Sequence, residues 1–381
     1  MNTPIQMDEH ASLYKRLAKH LDDLPGGFPP TETGVEIRIL RRLFSPEEAT
    51  LALHLTLILE EAAAIARRAG ISGEEAEARL KEMARKGLIY SSRKEGEPVR
   101  YMAAQFVIGI WEYHVDDLDP QLVSDMGEYM PTLLDFDTWS RAPQLRTVPV
   151  GQSIPVEHKV LPYERAEEMI SKHKKFAVAP CICRKEQKIA GKGCDRLEEA
   201  CLIMGGAADY YAENGKGRYI SKEEAVALVN RAEKEGLVLQ PSNAQKIANI
   251  CMCCGCCCGV LRTLKGHPKP ADVISSAFVA VQDAASCIAC EICMERCPMD
   301  AIALMDGVIR LNQDRCIGCG LCVSTCPTGG LKLVRKPEEK QKEVPENLMK
   351  SYINLAKVRG KFKVWKLAKI WLRSRMKTII P

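Results

Sequence analysis

Apolar residues recur at helical spacing near the start of the chain, where Leu13, Leu17, Leu21 and Leu24 mark one face of a segment over residues 8–24. Pro25-Gly26-Gly27 and then Pro29-Pro30 stop that helix, since proline has no amide donor and glycine frees the backbone. From Pro46 the pattern predicts helices over 46–57, 60–69 and 73–86, with a turn at Gly70, an N-cap at Ser72 and a stop at Gly87. Two short β-like runs, LIY and VRYMAA, flank the polar stretch SSRKEGEP and predict a hairpin.

Three helices followed by a hairpin resemble a winged helix-turn-helix domain, here over residues 40–104, preceded by an N-terminal helix and linker over 1–39. Residues 105–159 carry Trp111, Tyr113, Trp139 and several prolines without a clean period, and read as a connector of helix and loop. Residues 160–262, within a domain read over 160–270, then show an internal echo. YERAEEMISKHKKFAVAP leads to Cys181-Ile-Cys183, and SKEEAVALVNRAEKEGLVLQP leads after a spacer to Cys251-Met-Cys253. Each copy reads as helix, short strand, Cys-x-Cys, and Ser221 with Glu224 forms a capping-box signature for the second helix. The echo suggests two related units facing each other in a cysteine-rich α/β metal domain.

Composition sharpens this picture at the cysteines. With 381 residues, 27% of them charged and 46% hydrophobic, the chain has material for two or three cores and no apolar stretch of about 20 residues that could span a membrane. The first residues, MNTPIQMDEH, lack a basic flank followed by an apolar run, so the expected address is the cytoplasm. All 18 cysteines lie between Cys181 and Cys326. In a reducing compartment disulfides explain them poorly, and metal explains them better.

Cys287, Cys290, Cys293 and Cys297-Pro298 fit C-x2-C-x2-C-x3-C-P, and Cys316, Cys319, Cys322 and Cys326-Pro327 fit it again 29 residues later. Soft thiolates suit iron, and two-residue spacers let the chain curl around a cluster while the proline turns it away. A pair of four-cysteine zinc sites would use two C-x2-C pairs instead of a triad with a prolyl-flanked fourth cysteine. Between the motifs, AIALMDGVIRL alternates about Asp306-Gly307, a hairpin signal, and Leu331 to Val334 supplies a matching run afterwards.

On these motifs residues 284–335, within a domain read over 271–336, resemble the bacterial dicluster ferredoxin domain. The resemblance implies two [4Fe-4S] clusters, each taking three cysteines from one motif and the fourth from the other. The first would then use Cys287, Cys290, Cys293 and Cys326, the second Cys316, Cys319, Cys322 and Cys297. Across most of its length the chain also resembles a group of anaerobe iron–sulfur proteins that join a cysteine-rich segment to such a domain. That group brings an architecture and no assigned reaction.

Ten cysteines remain: Cys181, Cys183, Cys194 and Cys201, and then Cys251, Cys253, Cys254, Cys256, Cys257 and Cys258 of CMCCGCCCG. They are candidate ligands of a further iron–sulfur cluster or of zinc, with reactive vicinal thiols as a third reading. Neighbouring cysteines diverge along a chain, so some of the ten are expected not to ligate. The loop lacks the long spacing of the CCG pattern in heterodisulfide-reductase-like proteins. His54 and His173 sit in helical patterns away from the cysteines and read as surface or packing residues.

Charge adds two expectations. The net +5 conceals ten Lys or Arg and no Asp or Glu over residues 350–377, within a tail spanning 337–381. There Val364, Leu367, Ala368, Trp371 and Leu372 share a helical face opposite Lys363, Lys366, Lys369 and Arg373, a basic amphipathic pattern suited to an anionic membrane at its inner face or to an acidic partner. The helix that would read DNA opens with Glu74, Glu75 and Glu77, which disfavours DNA and favours protein docking.

No phosphate-binding glycine motif opens a helix, and no acid–base or nucleophile arrangement is evident. The expected fold class is therefore α+β multidomain, combining a winged-helix-like domain, a cysteine-rich metal domain and a ferredoxin-like dicluster domain. The expected function is electron transfer to or from a redox partner, a flavoprotein or other oxidoreductase. The alternatives are a redox-responsive transcription regulator and a CMCCGCCCG site that itself reduces a disulfide or another small substrate.

Overall fold

The computed structural model describes residues 10–153 and 160–362. They divide into two compact units, one holding residues 10–133 with 359–362 and the other residues 134–358. The division falls inside the segment read as a connector.

In the first unit the opening helix spans Ala11–Asp22 and buries Tyr14, Leu17, Ala18 and Leu21. The Tyr14 hydroxyl donates to the Phe44 carbonyl at 2.8 Å, fixing this helix to the end of the next one, Val35–Leu43. Helix Pro46–Ala52 begins with a full capping box between Ser45 and Glu48 and stops five residues earlier than its apolar pattern predicts. Glu60–Glu61 then form strand β1, which shortens the following helix to Ala62–Ala69. The cause is the pairing of Glu60 and Glu61 with Tyr101 and Arg100, together with the Arg68 guanidinium, which holds the buried Glu60 carboxylate at 2.7 Å. Helix Gly73–Lys86 has the expected Ser72 cap and left-handed Gly87 stop. Strands β2 (Ile89–Ser92) and β3 (Arg100–Ala103) complete an antiparallel sheet in the order β1-β3-β2.

Helix Pro120–Leu133 packs beside Val35–Leu43, where Arg38 reaches Asp125 and Glu128. Phe28, Phe106 and Tyr129 stack below it, with centroids 4.5 and 4.9 Å from Phe28. Arg359 and Lys361 both reach the Asp22 carboxylate, at 3.1 and 2.6 Å. Two of the ten tail cations are thus committed inside this unit.

The second unit is built on strands β4 (Phe176–Pro180), β5 (Glu199–Met204), β6 (Arg218–Ile220), β7 (Val238–Pro241) and β8 (Asn249–Cys253), in the order β6-β4-β5-β8-β7. Every pair is antiparallel, which corrects the α/β reading of this domain: helices lie between the strands in sequence, but no parallel crossover forms. The order β4-β5-β8-β7 is symmetric about the pair Cys201 and Cys251, which face each other across the two inner strands. Helices Ala166–Ser171 and Lys222–Lys234 precede β4 and β7, and the second is capped by Ser221 accepting from the Glu224 amide.

The same unit carries strands β9 (Phe278–Gln282), β10 (Ile302–Met305), β11 (Val308–Leu311) and β12 (Leu331–Arg335). Strands β10 and β11 form the expected hairpin, with Asp306 and Gly307 both at positive φ (53° and 72°), as a two-residue turn of this hand requires. Strand β12 pairs with β9, a run that precedes the first cysteine motif.

Residues 337–358 are not a free tail. The Gln245 and Lys246 amides donate to the carbonyls of Pro345 and Glu346, and helix Leu348–Val358 buries Ser351, Leu355 and Ala356. The amphipathic pattern read over Lys363–Lys377 lies outside the described residues. Among the described residues no helix is long and apolar enough to cross a membrane.

Candidate metal centres

The two ferredoxin-like motifs wrap around a small core in which Phe278, Ala280, Ile302, Ile309, Leu331 and Leu333 pack against Cys293, Cys316 and Cys322. Cys287, Cys290, Cys293 and Cys326 line one cavity. Cys297, Cys316, Cys319 and Cys322 line another. Each cavity draws three thiols from one motif and one from the other. Backbone amides point inward, with Ala280 N 3.4 Å from Cys316 Sγ and Ala301 N 3.3 Å from Cys297 Sγ. Such donors favour the thiolate form needed for iron.

The matched loops share a backbone requirement. Gly318 and Gly320 of the second motif sit at φ +69° and +77°, and their counterparts in the first, Ala289 and Glu291, are also held at positive φ, 52° and 62°. Gly320 also lies against Ser153, whose Oγ would be 2.0 Å from an added Cβ.

Residues 280–327 match the family model of the 4Fe-4S dicluster domain. No curated protein and no solved structure matches the chain.

The dicluster domain is unequal in exposure. Cys316, Cys319 and Cys322 are buried, and burial pushes the Cys319 and Cys322 thiols well up in the absence of a metal. Cys290 is exposed, and beside it Ile288 and Ile292 are 65% and 42% exposed at the mouth of the first cavity. At Cys326 burial opposes ionisation, but the Thr328 hydroxyl and the backbone amides of Thr328, Leu331 and Gly330 outweigh it and lower the thiol.

The ten earlier cysteines separate into two groups. Cys194, from the loop before β5, meets Cys254, Cys256 and Cys257, from the loop after β8, with all four Sγ atoms within 4.8 Å of one another. Cys194 lies 3.8 Å from Cys254 and 3.6 Å from Cys257, and Cys256 lies 3.8 Å from Cys257. Burial works against the Cys194 thiolate, yet the Arg196 amide and the neighbouring thiols draw Cys194 down to about 7. The neighbours Cys256 and Cys257 therefore converge where divergence was expected, because the turn through Gly255 folds the loop back on Cys194.

The other six form a row at the ends of β4, β5 and β8. Hydrogen bonds link Cys181 to Cys183, Cys183 to Cys258, Cys258 to Cys253, Cys253 to Cys251 and Cys251 to Cys201. Along this row the thiols alternate between lowered and raised, since each donor stabilises its neighbour's thiolate: Cys181, Cys258 and Cys251 are lowered, Cys183 and Cys253 raised.

Arg184 is buried beside both groups and donates to the carbonyls of Leu197 (2.5 Å) and Met252 (2.7 Å). Desolvation disfavours its charge, but Cys181, Cys254, Cys253 and Cys194 more than restore it. Sequence reading missed this residue, although its position directly after Cys181-Ile-Cys183 was a signal: clustered thiolates need a nearby fixed cation. Among the described residues no histidine joins a group of metal-ligating side chains.

The cysteine-rich part and the dicluster domain touch at specific points. Arg296 donates to the carbonyls of Glu233 and Lys234 at 2.6 and 2.8 Å, at the end of helix Lys222–Lys234. The Val150 amide donates to the Cys319 carbonyl at 3.0 Å.

Proposed function

We propose that this chain is an iron–sulfur electron-transfer protein that exchanges electrons with a partner oxidoreductase. The observation that carries the reading is the sorting of eight cysteines into two cavities, each completed by the fourth cysteine of the opposite motif. On that basis Cys287, Cys290, Cys293 and Cys326 would hold one [4Fe-4S] cluster and Cys297, Cys316, Cys319 and Cys322 the second. Such clusters, when bound, supply one-electron chemistry over a wide range of potentials.

The chain's own residues set the direction of access. Exposed Cys290, Ile288 and Ile292 offer an apolar face at the first cavity for a redox partner, while the buried thiols of the second face inward. The row of six thiols supplies enough soft ligands for a further iron–sulfur cluster within the same unit.

The winged-helix-like domain read over residues 40–104 serves, in this reading, as a protein-docking domain; helices Pro46–Ala52, Ala62–Ala69 and Gly73–Lys86 followed by the β2–β3 hairpin support it. In helix Gly73–Lys86 three cations face acids: Arg79 pairs with Glu75 and Arg85 with Glu82 of the same helix, and Lys86 with Glu48 of helix Pro46–Ala52, each at 2.6 Å. Little net positive charge is left for phosphates.

Iron and acid-labile sulfide analysis of the anaerobically purified full chain tests the reading. About eight irons are expected from the dicluster domain, and more if the six-thiol row is loaded. Fewer than about four, with zinc in their place, would overturn it.

A further inference from the structure

The four-thiol group formed by Cys194, Cys254, Cys256 and Cys257 is of a different size from a cluster site. We propose that it binds a single zinc ion, which clamps the loop before β5 to the loop after β8 and carries no electrons. Electron transfer by the dicluster domain neither requires nor excludes this ion.

Geometry separates the two kinds of site. Four thiolates at about 2.3 Å from one tetrahedral zinc stand about 3.8 Å from each other. The observed separations are 3.6, 3.8 and 3.8 Å, and all four sulfurs fall within 4.8 Å of one another. A four-iron cube places an iron and half its own diagonal between its centre and each thiolate, so its ligands spread to roughly 6 Å. The dicluster domain provides the internal contrast. Its thiols line two separate cavities, and among the described residues only the four-thiol group draws three or more ligand atoms within 4.8 Å.

The ligand chemistry agrees. Four cysteines and no further donor make a closed tetrahedron, the arrangement of a structural zinc site, with no open position for a substrate. Four thiolates around one divalent ion leave a net charge of about −2, and the Arg196 guanidinium approaches Cys256 Sγ at 3.7 Å to offset part of it. Cys254 and Cys257 are buried and Cys194 is partly so, while Cys256 at the surface gives the ion a way in. Three ligands come from four consecutive residues, Cys254 to Cys257, and such a loop takes a defined shape only when something fixes it to Cys194, 60 positions earlier.

The test compares the full-length chain, purified anaerobically after growth with both iron and zinc, with Cys194→Ser and Cys257→Ser. Metal analysis is expected to give about one zinc per chain, lost in both variants, with dicluster iron and its electron paramagnetic resonance signal unchanged. X-ray absorption at the zinc edge of the unaltered chain keeps the test decisive if the variants misfold. It should show one shell of four sulfurs at about 2.3 Å. Absence of zinc, a shell containing nitrogen or oxygen, or loss of about four irons in the variants would overturn the assignment. A chain that holds the zinc but not the dicluster irons would instead overturn the electron-transfer reading alone.

Discussion

Gly255 lies backbone to backbone against Pro298: a Cβ on Gly255 would stand 2.5 Å from the Pro298 carbonyl oxygen and 3.1 Å from its Cα. Pro298 follows Cys297, a thiol of the second dicluster cavity, and Gly255 sits inside the four-thiol group. The cysteine-rich loop is therefore seated directly on the dicluster domain. Neither side can retreat easily, since proline fixes its own backbone and the loop is held by Cys194 on its other side.

Gly255→Ala should accordingly push the two loops apart. Overpacking of this kind costs about 1–3 kcal/mol, so the melting temperature of the metal-loaded chain should fall by several degrees. Thermal unfolding monitored at the cluster absorption band checks it. An unchanged melting temperature would show that the contact is looser than it looks.

Glu291→Gly should stabilise the first cluster loop. Glu291 is held at φ +62°, where its counterpart in the second motif is Gly320. Left-handed backbone costs a non-glycine residue about 1–2 kcal/mol, and glycine gives back about 0.4–1 kcal/mol through its looser unfolded state. The expected net gain is about 0.5–1 kcal/mol, read as slower loss of cluster absorbance in denaturant. Gly320→Ala should do the reverse and more strongly, because its Cβ would also collide with Ser153.

The two cavities predict a particular pattern of non-additivity. Cys290 and Cys326 line the same cavity although they belong to different motifs. Cys290→Ala, Cys326→Ala and the double variant should therefore each lose about four dicluster irons and keep about four. Ligation within each motif would instead strip both clusters from the double variant.

The full chain should not shift duplex DNA at nanomolar concentration. Useful binding needs several phosphate contacts, and in helix Gly73–Lys86 the cations Arg79, Arg85 and Lys86 already face acids. An electrophoretic shift that weakens steeply with salt would favour a redox-responsive regulator over a docking domain.

Local rules carried much of this architecture into the sequence. The Ser72 and Ser221 caps, the Gly87 stop and the Asp306-Gly307 hairpin were readable because each depends on neighbouring residues alone. The cysteine motifs were readable for the same reason. Pairing between distant segments was not. Strand β1 at Glu60–Glu61 exists because Arg100 and Tyr101 meet it, and β9 because β12 does. The echo around the Cys-x-Cys pairs does not reveal which thiols face each other: Cys201, not Cys181 or Cys183, stands opposite Cys251 across the two inner strands. The division of ten cysteines into four and six depends on the fold of two loops separated by about 60 residues, and spacing along the chain does not encode it.

A potentiometric titration of the anaerobically purified full chain, followed by electron paramagnetic resonance, tests the central claim most directly. Two reduced [4Fe-4S] centres held in one small domain should appear reversibly, with line broadening from their mutual coupling, and Cys326→Ala should leave one uncoupled signal. A chain that shows no reversible cluster signal at any potential, with its eight dicluster cysteines holding zinc, would contradict the account.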